Sequence, residues 1–227
     1  MKAFSKDFCR EFFRNRGRFI SVFFIVMLGA AFFSGIRSSK SAMHASANKY
    51  YHKTKLMDIK IQGELGITDK DIKDISHIMG IEKVEGGHYV EAICKIGSKQ
   101  EEIKVIGTPK HINLHTLIEG KEPTREGECL VDHKFLDNTG YKIGDFITLE
   151  SGTSESIYKQ LKYNQYKIVG ICSLPYYMDV YRDYTSIGDG QLDSFIVVNP
   201  KVMKSDIYTE MSIRVSESKK YSAYDDN

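Results

Sequence analysis

The stretch that most constrains this chain is Phe19–Ile36, FISVFFIVMLGAAFFSGI, eighteen residues without a charge. As a helix rising about 1.5 Å per residue it is roughly 27 Å long, close to the hydrocarbon thickness of a bilayer. Only Ser21 and Ser34 interrupt the run, whereas a core helix of a water-soluble fold carries a polar stripe. Arg18 and Arg37 bracket it, placed to reach the two headgroup layers. The pattern predicts a transmembrane helix over 19–36.

Residues 1–18 hold Lys2, Lys6, Arg10, Arg14, Arg16 and Arg18 against Asp7 and Glu11. Basic residues crowded before a span keep that side in the cytoplasm, so residues 37–227 are expected outside it. A cleaved signal peptide is the rival reading, with Ala45-Ser46-Ala47 imitating a cleavage site. The apolar run is longer than a signal core of about 7–15 residues, and Ala47 lies well beyond Ile36, so an uncleaved anchor is expected. In the leader, Phe4, Phe8 and Phe12 share one helical spacing, and Lys6, Arg10 and Arg14 share it on another face. Such a helix can lie on the inner leaflet with membrane lipid as its partner, although any short basic leader has something of this pattern. Gly29, Ala30, Ala31, Ser34 and Gly35 would let another transmembrane helix approach closely.

The formal charge of +2 is unevenly spread: residues 1–37 carry +5, which leaves −3 for residues 38–227. The outer part therefore has no basic excess to suggest nucleic acid as a partner. Cysteine is sparse. Cys9 falls on the inner side, and Cys94, Cys129 and Cys172 allow at most one internal disulfide, so this is not a disulfide scaffold. Cys94 and Cys172 lie in apolar runs where a buried free thiol is expected.

Residues 37–56 are polar with Ala interleaved and lack Pro and Gly, which predicts a helical stalk continuing the span. From residue 57 the pattern becomes strand-rich. LMDIKIQG (56–63) alternates as a half-buried strand; Thr68 caps a helix with Ile72, Ile75 and Met79 on one face, stopped by Gly80. HYVEAICKIG (88–97) and EEIKVIG (101–107) read as a hairpin. From about Asn113 the order reads short helix, turn, strand, helix over Asp132–Asn138 ending at Gly140, a Gly144-Asp145 turn, and a strand over Phe146–Glu150. YNQYKIVGICSL, SFIVVN and MSIRV are further strands, and 216–227 is a polar tail. The expected fold class is α+β: one N-terminal transmembrane helix, then a strand-rich, two-lobed extracytoplasmic domain over 57–215.

Chemistry is scarce. There is no P-loop, GxSxG, HExxH or EF-hand pattern. His111 and His115 stand at i, i+4 in HINLH and could share a helical face toward zinc, but no further ligand completes the set; solvated side chains are the better account. Asp132-His133 is too generic to count. Asp179, Asp183, Asp189 and Asp193 form an acidic segment opposed by Arg182, read as a surface loop rather than a cation site. Tyr176, Tyr177, Tyr181 and Tyr184 serve packing or a contact surface. No catalytic, cofactor-binding or metal-binding residue is assigned, and no enzyme activity is expected.

Three segments together resemble FtsX/MacB-type ABC transporter permeases. NRGRFISVFFIVMLGAAFFSGIRSS (15–39) resembles their first span. YYHKTKLMDIKIQGELGITDKDIKDISHIMGIEKVEGGHYVEA (50–92) is similar to the passage from stalk to domain in the large two-module permeases of Gram-positive bacteria. IEGKEPTREGECLVDHKFLDNTGYKIGDFITL (118–149), followed by YKIVGI (166–171), resembles the MacB-like core domain, with its Gly-x-x-Pro turn, strand, helix, Gly-Asp turn and Val-Val-Gly-Ile-type strand. The resemblance implies a permease subunit working with a separate cytoplasmic ABC ATPase in export or signalling. Family permeases return to the membrane for further spans, and this chain has no second apolar run of that length, so it reads as the front portion of one. The alternative is a singly anchored extracytoplasmic binding domain without transport activity.

Overall fold

The computed structural model describes residues 10, 13–97, 99–178 and 182–217; most of the leader, Tyr181 and Asp179 among the residues singled out above, and most of the polar tail lie outside them. The chain divides into two compact units, Met1–Lys49 and Tyr50–Asn227. The first consists of most of helix α1, which runs over Arg16–Thr54 and contains the apolar segment. By length and composition α1 is able to cross a membrane, and none of its most apolar stretch is buried by protein.

Among the described residues the second unit has ten strands, and the sheet order shows why so much of it is apolar. A three-stranded antiparallel sheet has β10 (Tyr208–Val215) between β1 (Ile59–Ile67) and β2 (Ile81–Gly87). Helix α2 (Asp69–Ser76) covers it, setting Ile72 and Ile75 against Ile67, Val84, Met211 and Ile213. The remaining strands are β3 (Tyr89–Ile96), β4 (Lys99–Gly107), β5 (Thr116–Gly120), β6 (Glu128–Asp132), β7 (Phe146–Glu150), β8 (Gln165–Ser173) and β9 (Ser194–Val198). They pair in the order β5-β8-β6-β9-β4-β3-β7, and β7 pairs again with β8. Six strands thus close into a ring, with β5 added outside on β8.

Closure explains the burial pattern. Alternate residues of all six strands, among them Ala92, Ile103, Val131, Leu149, Ile168 and Ile196, turn into the ring and form one cluster. Helix α3 (His133–Thr139) adds Phe135 to it. The opposite face buries Leu130, Val169, Phe195 and Val197 beneath Tyr177 and Leu192. Strands β6 and β9 are buried at every position, as expected where both faces are covered.

Local rules account for the ends of the short helices. Thr68 and Asp71 form a reciprocal capping box at the start of α2. Asp132 caps α3, and Gly140 ends it at φ 75°, a conformation glycine adopts without strain. Two expectations require correction. Helix α2 stops at Ser76, leaving Met79 almost fully exposed rather than on its buried face. IEKVEGG, for which no element is expected above, is strand β2. The short helix expected after Asn113 is strand β5, because Thr116–Gly120 pairs antiparallel with β8. His111 and His115 lie in the loop between β4 and β5, so they share no helical face.

Candidate functional site

The most elaborate polar construction in the second unit surrounds the C-terminal end of α1. Thr54 is buried and its hydroxyl donates to the Tyr50 carbonyl at 2.8 Å. Lys55 then takes a positive φ of 52° and lets the chain leave the helix. The loop after β4 grips this exit. Asn113 N–H donates to the Lys55 carbonyl at 2.9 Å, and Leu114 N–H to the Thr54 carbonyl at 2.7 Å. Thr54 is the last residue of the helix, so its carbonyl has no partner within it, and the Lys55 carbonyl lies just beyond. The Asn113 side chain continues the clamp: Oδ1 accepts from Met57 N–H at 2.9 Å and Nδ2 donates to the Ser212 hydroxyl at 3.1 Å. Tyr50 adds a hydroxyl 3.2 Å from that of Ser173.

The gripping loop is itself held from β2. The Glu85 carboxylate accepts from three successive backbone N–H groups, Lys110 at 2.8 Å, His111 at 2.9 Å and Ile112 at 2.7 Å. Successive amides converging on one anion form a nest, and charge-assisted bonds of this kind are stronger than neutral ones. Asn113, which follows, has φ 56°, a conformation asparagine tolerates better than most residues. Glu85, the nest and Asn113 thereby tie the end of α1 to the three-stranded sheet.

A second polar group links the two sheets. Asp183 accepts from the Tyr177 hydroxyl at 3.1 Å and lies 3.5 Å from the amines of both Lys60 on β1 and Lys104 on β4. Lys60 also lies 3.5 Å from Glu210 on β10. Burial opposes ionisation of Asp183, but Lys60 and Lys104 outweigh it and hold the carboxyl below its ordinary range. Lys104, with its amine 4.0 Å from the Tyr89 ring centroid, is held below the ordinary lysine range, first by burial and then by Lys60. Next to this group Arg182 meets Asp132 at 2.7 Å, both side chains buried.

These contacts revise the reading of several residues. Asp132 is the helix cap and the partner of a buried arginine. Arg182 pairs with Asp132 through both Nε and Nη2. The acids that are described disperse: Asp183 goes to the lysines, Asp189 accepts from Gln191 N–H and Asp193 from Glu102 N–H. Tyr177 stacks on Phe195, whereas Tyr184 is largely exposed. His115 meets Glu122 at 3.0 Å and His111 is exposed. Among the described residues no group of three His, Cys, Asp or Glu is placed to hold a metal ion. Cys94, Cys129 and Cys172 are free and buried, and burial raises the Cys94 thiol to about 11.

Two open clefts flank His88. One of about 470 Å³ is lined by residues including Asp69, His88, Lys110, Tyr176 and Tyr208. The other, of about 820 Å³, is lined by residues including His88, Glu91, Lys159 and Thr209. His88 packs against Tyr208 with ring centroids 4.7 Å apart and the rings tilted by 34°, and burial lowers its imidazole below the ordinary range. In the second cleft Glu91 accepts from the Ser186 hydroxyl at 2.7 Å, from Ser186 N–H at 2.9 Å and from the Thr185 hydroxyl at 2.7 Å.

No protein-family model matches the chain, and no curated protein matches it. Among solved structures it is similar to the extracellular domain of the noncanonic ABC-type transporter YknZ from Gram-positive bacteria, at 10% identity and a TM-score of 0.44 over 70% of this chain and 79% of that one. It is also similar to the periplasmic region of MacB from Actinobacillus actinomycetemcomitans, at 12% identity and a TM-score of 0.40 over 69% of this chain and 67% of that one. Both neighbours lie outside the cytoplasm. At these identities the likeness concerns the fold alone.

Proposed function

We propose that this chain is a membrane subunit of an FtsX/MacB-type ABC transporter, or the front portion of one. In this reading residues 1–18 face the cytoplasm and the strand-rich unit lies outside. The observation that carries it is α1 itself: one helix contains an apolar segment able to cross a bilayer and ends in the clamp made by Asn113, Leu114 and Met57. Between Arg37 and Thr54 it has neither Pro nor Gly, the residues that most often kink helices. The clamp satisfies the end of that helix with buried partners, so motion imposed on α1 has a fixed point of attachment in the domain.

No residue of this chain is assigned to chemistry. Nucleotide hydrolysis belongs to a separate cytoplasmic ATPase, and this chain receives the resulting motion. The test is affinity capture of the tagged chain, expressed from its own locus, out of native membranes in mild detergent. An ABC-type ATPase retained with the chain, and ATP hydrolysis in the eluate, is the expected result. A chain recovered with no ATPase contradicts the permease reading and leaves a singly anchored binding domain.

A further inference from the structure

A third cleft, of about 460 Å³, is lined by His52, Lys55, Glu82, Lys83, His111 and Arg214. Five of these are basic or imidazole side chains and one is an acid. Three elements and two loops supply them: the last turn of α1, the residue after it, β2, β10 and the loop after β4. The side chain of Arg214 is 7% exposed, and its Nη2 lies 3.5 Å from Glu82, a long contact for an ion pair. Its Nε has no hydrogen-bond partner among the described residues. A buried donor left without a partner is costly, more so on a charged group.

The register sharpens the point. Arg214 and Lys83 stand directly opposite in the β10–β2 ladder, so both side chains leave the same face of the sheet. Like charges placed that way are destabilising. Lys55, His52 and His111 surround the same space, and among the described residues Glu82 is the one acid lining it.

We propose that this cleft binds a phosphate-type oxyanion, with the Arg214 guanidinium at its floor and Lys55 and Lys83 at its rim. The donors come from several directions, which suits a tetrahedral group carrying three or four acceptor oxygens better than a planar carboxylate. A guanidinium fork with flanking ammonium groups is the usual protein answer to such an anion. The anion is free phosphate, or the phosphate of a phosphoester or lipid headgroup. The inference uses only this cleft and does not depend on the permease reading.

The experiment uses the full chain in nanodiscs of neutral phosphatidylcholine. Inorganic phosphate is titrated by calorimetry at constant ionic strength, with chloride as the control. In parallel, the chain is reconstituted with mixed phosphatidylcholine and phosphatidic acid, and retention of the anionic lipid is read by native mass spectrometry. Wild type is compared with Lys83→Gln, whose side chain is exposed, and with Arg214→Lys, with thermal midpoints as a check on folding. Phosphate binding weakened about fivefold by Lys83→Gln supports the site and a soluble anion. Phosphatidic acid retention that falls with the same substitution supports the site and a headgroup. No binding of either anion, or binding that Lys83→Gln leaves unchanged, overturns it. If Arg214→Lys does not fold, the Lys83→Gln comparison decides alone.

Discussion

Tyr166 shows how a single polar atom sits in the apolar ring. The residue is fully buried and its hydroxyl has no partner among the described residues; burial, and then Cys129 and Tyr163, raise its phenol. Tyr166→Phe removes a group that loses its hydration without gaining a bond. It is expected to raise stability by about 1 kcal/mol, read as the urea midpoint at unchanged slope. Glu102 gives a pH prediction. It is buried, accepts from Gln100 at 2.8 Å, and its carboxyl is raised by burial and by its hydrogen bond with, and the charge of, Asp193. With a folded pKa above the unfolded one, the folded state holds more protons in the window between them. Stability therefore falls as pH rises through that window, starting near the ordinary Glu value of about 4.3. Glu102→Gln should flatten that slope and raise the thermal midpoint at neutral pH; a slope unchanged by the substitution contradicts the assignment.

At the scale of elements the clamp on α1 makes the sharpest prediction. Asn113→Ala removes the acceptor of Met57 N–H and the donor to Ser212, and places alanine at φ 56°. A loss of about 2–4 kcal/mol is expected, with faster hydrogen exchange at Met57 and Leu114 than in the interior of β6. Exchange that accelerates equally everywhere would argue against a local clamp. What the sequence made legible here was local. The Thr68 cap, the Gly140 stop and the β3–β4 hairpin each depend on a few adjacent residues, and each is found close to its expected position. Strand β5 was misread because LHTLI is a short apolar run, and only its pairing with β8 makes it extended. Strand β2 was missed because Ile81 and Val84 are spaced three apart, a spacing that does not suggest alternation. The Glu85 nest had no signal at all, since the carboxylate lies 25 residues before the first amide it binds.

For the whole molecule, the division into an apolar helix and a strand-rich unit was legible from composition alone. The closing of six strands into a ring was not. It depends on β7 reaching both β3 and β8, a pairing that no local pattern encodes. The same holds for the lysines and acids linking the two sheets, where Asp183 meets Lys60 across 123 positions. The central claim is that the strand-rich unit is held outside the cytoplasm by a membrane-crossing helix. The chain is suited to a direct test once Cys9, on the expected inner side, is replaced by Ser, because Cys94, Cys129 and Cys172 are all buried and should be silent to thiol reagents. Met79, by contrast, is 98% exposed. The measurement is labelling of a Met79→Cys variant in intact cells with a membrane-impermeant maleimide. The account predicts that the variant is labelled before lysis and the wild type is not. Labelling of the variant only after the membrane is opened would contradict it.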